Sequence, residues 1–182
     1  MYAHGRTTNR LFIRKLEESD KVIWKDFFIH NPSLPFLGID LNKTPEESAR
    51  DWINFQFKRY AENRYGHHAL INKDTNEFIG MCGLLTQIVE DKQEIEIGYS
   101  LLPKFWGFGY ATEAAIFFRD FGFGHEKLDH IISIIDIRNI ASQNVAKKNG
   151  MTINRQIRYH DLDVYIFQIT ENEWKTLNAK FK

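Results

Sequence analysis

The chain has 182 residues, with 24 basic and 24 acidic side chains, so its formal net charge is zero. This balance argues against a nucleic-acid partner bound through a basic face. Its 43% apolar and 26% charged residues are typical of a soluble globular protein, and we expect one domain over residues 1–182. The single cysteine, Cys82, cannot form an internal disulfide. Because no signal peptide or membrane span is recognisable, we expect a cytoplasmic protein with no membrane partner.

In chain order, the residue patterns predict strands interleaved with helices. A strand at 9–16 precedes a helix at 17–30 that begins near Ser19 or Asp20, and a loop follows at 31–40. The next helix, 46–64, begins with a capping box built from Thr44, Pro45 and Glu47. The later elements are strands at 67–72, 78–90 and 93–102, a helix at 109–125, a strand at 129–137, a helix at 139–150 and a closing hairpin of 152–160 with 163–170. This order predicts a mixed α/β domain.

The strand at 93–102 has one acidic face. Glu94, Glu96 and Gly98 alternate with apolar residues and therefore share a side of the strand. Carboxylates are costly to bury unless they are paired or face a wet cleft. The strand is therefore either an edge strand with a solvated acidic face or one wall of a cleft, and the segment that follows favours the cleft.

A glycine-containing loop joins this strand to the helix at 109–125. After Lys104, Gly107 and Gly109 precede a helix whose first N–H groups have no partner within the helix. Glycines let such amides curl round an anion, as a diphosphate requires. The spacing alone is weakly specific. It lacks the third glycine of the dinucleotide fingerprint and the Gly-Lys-Ser/Thr of a Walker loop.

The segment IEIGYSLLPKFWGFGYATEA at 95–114 resembles the acetyl-CoA-binding core of the GNAT superfamily of N-acetyltransferases. The family loop Gln/Arg-x-x-Gly-x-Gly/Ala is present, except that Lys104 takes its first position. The segments RNIASQNVAKKNGM at 138–151 and RYHDLDVYIF at 158–167 are similar to the later helix and closing hairpin of the RimJ/RimL branch, which acetylates the N-termini of ribosomal proteins. The resemblance implies an α/β fold with a mixed, mostly antiparallel sheet of about seven strands that splays at its central parallel pair.

The resemblance also implies a site for acetyl-CoA as cosubstrate. Residues implied to bind it are Ile97, Gly98, Tyr99, Lys104, Trp106, Gly107, Phe108, Gly109, Tyr110, Ala111, Thr112, Asn139, Ser142 and Lys147. Backbone amides near a splayed, bulged strand after Gly98 would stabilise the developing oxyanion. Arg138 and Lys148 are further candidates for the phosphates.

The implied reaction is direct acetyl transfer to an amine, which needs a base. Glu96 is favoured and Glu94 is the second choice, although either could simply order solvent or a neighbouring strand. The family's tyrosine acid falls on Ala146, so it is missing; Ser142 is the nearest hydroxyl, with Tyr159 and Tyr165 as others. A thiol can leave without an acid.

The sequence does not determine which amine accepts the acetyl group. A protein N-terminal α-amine leads, and a polyamine, amino acid or aminoglycoside is the alternative, with Asp161 and Asp163 able to attract a cation. A coenzyme-binding sensor without catalysis is a third reading. We predict no metal, because His67 and His68 face opposite ways on a strand. Cys82 and the phenylalanines at 117, 118, 121 and 123 are predicted core residues, and a homodimer is an open expectation.

Overall fold

The computed structural model describes residues 2–179. The α-helices in this range are α1 Asp20–Trp24, α2 Pro45–Ala61, α3 Tyr110–Gly124, α4 Ile140–Lys148 and α5 Glu171–Ala179. The strands are β1 Arg6–Thr7, β2 Leu11–Arg14, β3 His68–Asn72, β4 Phe78–Val89, β5 Lys92–Leu101, β6 His130–Asp136, β7 Thr152–Tyr159 and β8 Leu162–Thr170. Short 3₁₀ turns lie at Lys25–Phe28, Leu34–Phe36 and Pro103–Phe105.

The strands form one sheet in the order β1-β2-β3-β4-β5-β6-β8-β7. Every neighbouring pair is antiparallel except β5 and β6, which match at Glu96 and Ile132. Beyond that point a cavity separates residues 98–100 from residues 133–136. The predicted fold class is therefore confirmed, including the splay at the central parallel pair. The two-residue strand β1 makes the sheet eight-stranded rather than about seven-stranded.

The two faces of the sheet carry different apolar clusters. On the face covered by α3, Phe118 and Phe123 are almost fully buried, as predicted, and Cys82 is completely buried. On the other face, Trp24 and Phe27 pack with α2. Each fully buried side chain of this size stabilises the fold by about 2 kcal/mol. No helix within residues 2–179 is long and apolar enough to span a bilayer.

The predicted helix at 17–30 is wrong in length. α1 ends at Trp24, and the chain tightens into the 3₁₀ turn Lys25–Phe28. In a 3₁₀ turn, side chains three residues apart eclipse each other. The rings of Trp24 and Phe27 accordingly stack, with centroids 4.3 Å apart and planes 11° apart.

The C-terminal helix α5 was not predicted. Thr170 and Glu173 form a reciprocal capping arrangement, in which each backbone N–H donates to the other side chain. The Trp174 ring then stacks on Phe123 at 5.3 Å, and its Nε1 donates to Asp120 Oδ1 at 2.7 Å. These contacts hold α5 against the C-terminal end of α3.

Two tight hairpin turns set the strand registers around the central cleft. Glu90 and Asp91 both have positive φ and join β4 to β5, so that Gln87 lies opposite Glu94. His160 and Asp161 do the same between β7 and β8. The β4–β5 register is unbroken from Gly80 to Lys92. The expected bulge in β5 is therefore wrong, and only the splay opens this strand.

Candidate active site

The glycine loop before α3 presents free backbone N–H groups. Gly107 and Gly109 have φ of 81° and 82°, the left-handed region that favours glycine. No side chain caps α3, and the N–H groups of residues 107–112 donate to no acceptor among the described residues. A Cβ at Gly107 would have no atom within 4 Å. The loop is thus an open cradle at the positive end of a helix, which suits an anion.

Arg10, which sequence reasoning missed, supports this loop from the N-terminal hairpin. Its Nη1 donates to the Phe108 carbonyl at 2.9 Å, and its Nε pairs with Glu113 Oε2 at 2.7 Å. The guanidinium also lies 4.3 Å from the centre of the Tyr110 ring. Because these partners flank Gly109, the Arg10 side chain fixes the loop and the first turn of α3 together.

A groove of about 300 Å³ runs from the glycine loop to α4, and we call it the coenzyme groove. Residues that were predicted to bind coenzyme and that line this groove are Tyr99, Trp106, Gly107, Gly109, Tyr110, Ala111, Thr112, Asn139 and Ser142. Phe108 does not line it, and its side chain is 62% exposed. Trp106 is held by a hydrogen bond from its Nε1 to the Leu101 carbonyl at 2.8 Å.

The basic residues expected near the phosphates are arranged differently from the prediction. Lys104 pairs with Glu77 at 3.2 Å, and Arg138 pairs with Asp136 at 2.6 Å. Neither they nor Lys147 line the coenzyme groove. Lys148 does, because it lies three residues after Val145 on the face of α4 that borders the groove.

A second cavity of about 240 Å³ adjoins the coenzyme groove, and we call it the acceptor cavity. It occupies the splay between β5 and β6, where Ile97 and Gly98 line it. The walls also include residues 36–38, His67 just before β3, and residues of α2, β4 and the β7–β8 hairpin. The residues shared by the two cavities are Leu37, Tyr99, Ser100, Asn139 and Ser142.

Glu96 is the buried carboxylate of the acceptor cavity. It is 8% exposed, and its Oε2 accepts a hydrogen bond from Gln87 Nε2 at 2.6 Å. Its Oε1 accepts from the Ile134 backbone N–H at 3.2 Å. Burial raises the pKa of Glu96, against the opposing effect of these two hydrogen bonds. A buried carboxylate held by two donors can accept a proton from an amine bound in the cavity.

Glu94 has a different environment from Glu96. Its Oε2 lies 2.5 Å from His130 Nε2, and Glu94 lines neither cavity. β5 has neighbours on both sides, so the edge-strand interpretation of its acidic face is wrong. The structure brings only Glu96 of the two glutamates into the cleft.

Asn139 and Ser142 lie where the two cavities meet. The Asn139 side chain caps α4 by accepting a hydrogen bond from the Ser142 N–H at 3.1 Å. The Ser142 carbonyl accepts from the Tyr99 hydroxyl at 2.8 Å. Ala146 is buried in the core. Of the other hydroxyls considered, Tyr159 lines the acceptor cavity and Tyr165 does not.

The floor of the acceptor cavity contains residues that the sequence analysis did not assign to a site. The ring of His67 stacks with Trp52 at 6.3 Å and lies beside Gly98. Burial, and then the charge of Arg59, lower the pKa of His67 to about 3, so the imidazole is neutral at pH 7. His68 points to the other face, where its ring lies 5.4 Å from Phe118.

The acceptor cavity has few charges. Its acidic lining residues are Glu96 and Asp136, and Asp136 is already paired with Arg138. Among the described residues that line it, none is a lysine or arginine. Asp161 and Asp163 do not line it, and Asp163 lies 3.5 Å from Arg158.

Comparison with known proteins agrees with this geometry. Residues 10–152 match the acetyltransferase (GNAT) domain family. The chain belongs to the GNAT family of acetyltransferases. The protein YkkB of Bacillus subtilis is 31% identical to this GNAT protein over 163 residues, which is 88% of this chain and 92% of YkkB.

Two solved structures share its fold. The ribosomal L7/L12 α-N-protein acetyltransferase RimL, solved with coenzyme A, is 17% identical with a TM-score of 0.74, over 91% of this chain and 97% of RimL. A chimera of the spermidine N-acetyltransferase SpeG from Vibrio cholerae is 16% identical with a TM-score of 0.71, over 92% and 99% of the two chains. Since one acts on a protein and the other on spermidine by name, fold likeness leaves the acceptor of this acetyltransferase undecided.

Proposed function

We propose that this acetyltransferase transfers the acetyl group of acetyl-CoA directly to a protein N-terminal α-amine, with Glu96 as the base. The observation that carries the proposal is the meeting of the two cavities at Leu37, Tyr99, Ser100, Asn139 and Ser142. One cavity borders a free anion cradle and the other contains a buried carboxylate. Two substrates can therefore lie end to end across the splay.

The coenzyme groove provides the groups that a CoA thioester needs. The free N–H groups around Gly107 and Gly109 would hold the diphosphate, with Lys148 as the nearby cation. Residues 98–100 of β5 would hold the amide-bearing pantetheine arm as an added strand would be held. Acetyl-CoA supplies an activated carbonyl.

The chemistry is a balanced displacement at that carbonyl. The amine nitrogen forms the C–N bond and its proton passes to Glu96, directly or through a water, while the C–S bond breaks and the thiolate leaves with its electron pair. A thiol with a pKa of about 8.5 leaves without a dedicated acid, which is consistent with Ala146 at the family's tyrosine position. Ser142 provides the hydroxyl proposed to lie closest to the leaving sulfur.

The charges of the acceptor cavity favour a peptide N-terminus over the alternatives. A free amino acid would bring a carboxylate into a cavity whose described lining has no lysine or arginine. A polyamine or aminoglycoside would bring several cations to one unpaired carboxylate, because Asp136 is paired. A peptide N-terminus brings a single amine, and its pKa of about 8 makes it easier to deprotonate than a lysine-type amine.

An amine panel tests the proposal. The protein is mixed with acetyl-CoA, a thiol reagent and one amine at a time: a C-terminally amidated peptide, the same peptide with a blocked N-terminus and one lysine, spermidine, glycine and an aminoglycoside. We expect steady thiol release with the free N-terminal peptide. Faster release with spermidine or the aminoglycoside would contradict the acceptor. Coenzyme binding by calorimetry without thiol release for any amine would favour the sensor interpretation. A cytoplasmic location and a homodimer stay predictions.

A further inference from the structure

We infer that Gln87 is a positioning residue for acetyl transfer: its side-chain amide orients the Glu96 carboxylate and favours its ionised form. The inference rests on the proposed role of Glu96 as the base. Gln87 lies on β4, outside the glycine loop and outside every segment that resembles the family's motifs. It deserves a test because it holds one of the two oxygens of the only unpaired carboxylate that lines the acceptor cavity among the described residues.

The strand register explains the contact. The two-residue turn at Glu90 and Asp91 places Gln87 directly opposite Glu94 in the β4–β5 pair. Glu96 is then the diagonal neighbour of Gln87 on the same face, within reach of a long side chain. The Nε2 to Oε2 distance of 2.6 Å is short for an N–H···O hydrogen bond, and such a bond is stronger when the acceptor is ionised.

The second oxygen of Glu96 is held from the other side of the splay. The Ile134 N–H of β6 donates to Oε1 at 3.2 Å, so the carboxylate is fixed between β4 and β6. Glu94 takes its hydrogen bond from His130 instead and leaves the Gln87 amide to Glu96. The two donors therefore turn Glu96 toward the cavity and oppose the effect of its burial.

Other ionisable groups also face Glu96. The charge of Arg59 on α2 favours the ionised form of Glu96. Burial, and to a lesser extent the charge of Glu96, raise the pKa of the nearby tyrosines on β5 and β7. The groups around it are Arg59, His67, Tyr99, Asp136 with Arg138, Tyr159 and His160. None of these groups is altered in the Gln87→Leu variant, so a shift of the acid limb in that variant is attributed to the loss of the amide.

The first test is the pH dependence of kcat/KM in Gln87→Leu, using acetyl-CoA and the most active amine of the panel. Without the amide hydrogen bond, the acid limb that reports Glu96 should move to higher pH by about one pH unit. The limb set by the amine itself should not move. Thr86→Val, a change next in sequence on the opposite face of β4, should leave both limbs in place. An acid limb unchanged in Gln87→Leu would overturn the inference, even if activity falls.

Gln87→Glu keeps the size of the side chain and covers the case in which the leucine variant does not fold. It places a second carboxylate against Glu96, so the acid limb should move further up than in Gln87→Leu. Isotope-edited NMR of the glutamate carboxyl carbons should show the same order for the Glu96 signal, assigned by its loss in Glu96→Gln. An unshifted Glu96 signal in both variants would overturn the inference without reference to any acceptor.

Glu96→Gln separates the two possible failures. If it keeps the normal rate and pH profile, Glu96 is not the base and both proposals fall. If it loses activity while the Gln87 variants keep the normal acid limb, only the role of Gln87 falls.

Discussion

The coenzyme groove and the acceptor cavity adjoin each other but are built in different ways. The coenzyme groove depends on backbone: the start of one helix, and N–H groups at residues 107–112 that have no acceptor within residues 2–179. The acceptor cavity depends on side chains brought from separate elements, such as Trp52 of α2, Gln87 of β4 and Glu96 of β5. The first is a local motif in which the side chains matter less, apart from the two glycines that have positive φ. The second is a long-range assembly, and single substitutions there should affect catalysis most.

The largest effect is expected in the acceptor cavity, where a substitution of Glu96 should change the rate of acetyl transfer without changing coenzyme binding in the groove. Glu96→Gln should lower kcat by about a hundredfold or more, because a base that takes the amine proton is lost, while affinity for acetyl-CoA stays unchanged. Thiol release and calorimetric titration with coenzyme A measure the two effects. Glu94→Gln is the matched control, since its carboxylate is held by His130 outside both cavities. An equal loss in the two variants would contradict this assignment.

The next effect concerns folding stability, which depends on pH because His67 is buried in its neutral form beside the acceptor cavity. His67 has a pKa of about 3 in the folded chain, against about 6.5 when exposed. As pH falls below 6.5 the unfolded chain binds a proton that the folded chain does not, so folding stability falls by about 1.4 kcal/mol per pH unit until about pH 3.

His67→Gln should therefore reduce the loss of unfolding free energy between pH 7 and pH 5 by roughly 2 kcal/mol. Urea denaturation at the two pH values gives the comparison. His30→Gln, on an exposed loop outside both cavities, is the control for the loss of one histidine. A parent-like dependence in His67→Gln would mean that His67 is not a neutral, buried group.

The glycine loop offers a smaller, sharper contrast. Gly107 and Gly5 both have φ of 81° and open space where a Cβ would lie. Alanine is strained by about 1–2 kcal/mol in this conformation at either position. Only Gly107→Ala should also weaken acetyl-CoA binding, by about tenfold, since the methyl group enters the anion cradle. Equal coenzyme affinity in Gly107→Ala and Gly5→Ala would argue against a diphosphate on this loop.

The smallest expected effect tests which cation belongs to the groove. Lys148→Ala should raise the KM for acetyl-CoA about threefold at low salt and less at high salt, as expected for a partly exposed charge near phosphates. Lys104→Ala should not change it, because Lys104 pairs with Glu77 away from the groove. A larger effect of Lys104→Ala than of Lys148→Ala would indicate that Lys104 binds the coenzyme, as the resemblance to the family loop implies.

The parts of the site that are local in sequence could be predicted. The end of β5 at Leu101, the two glycines and the start of α3 at Tyr110 lie within ten residues of one another. Asn139 likewise directly precedes the helix that it caps. The role of the glycine loop follows from the unpaired N–H groups at the start of a helix, and that of Asn139 follows from helix capping. The capping arrangement of Thr170 and Glu173 was equally visible in the sequence, and could have predicted α5.

The acceptor cavity could not be predicted to the same depth. Gln87 meets Glu96 only through the register set by Glu90 and Asp91, a turn with positive φ at both residues but without the Asn or Gly that usually announces one. His67 and Trp52 meet across the gap between α2 and β3. Single-residue properties do not show such contacts, because they depend on where distant elements cross.

The shared wall at Leu37, Tyr99, Ser100, Asn139 and Ser142 has a kinetic consequence. Two adjoining compartments can be filled at once, so we expect turnover through a ternary complex, with intersecting rather than parallel lines in a double-reciprocal plot.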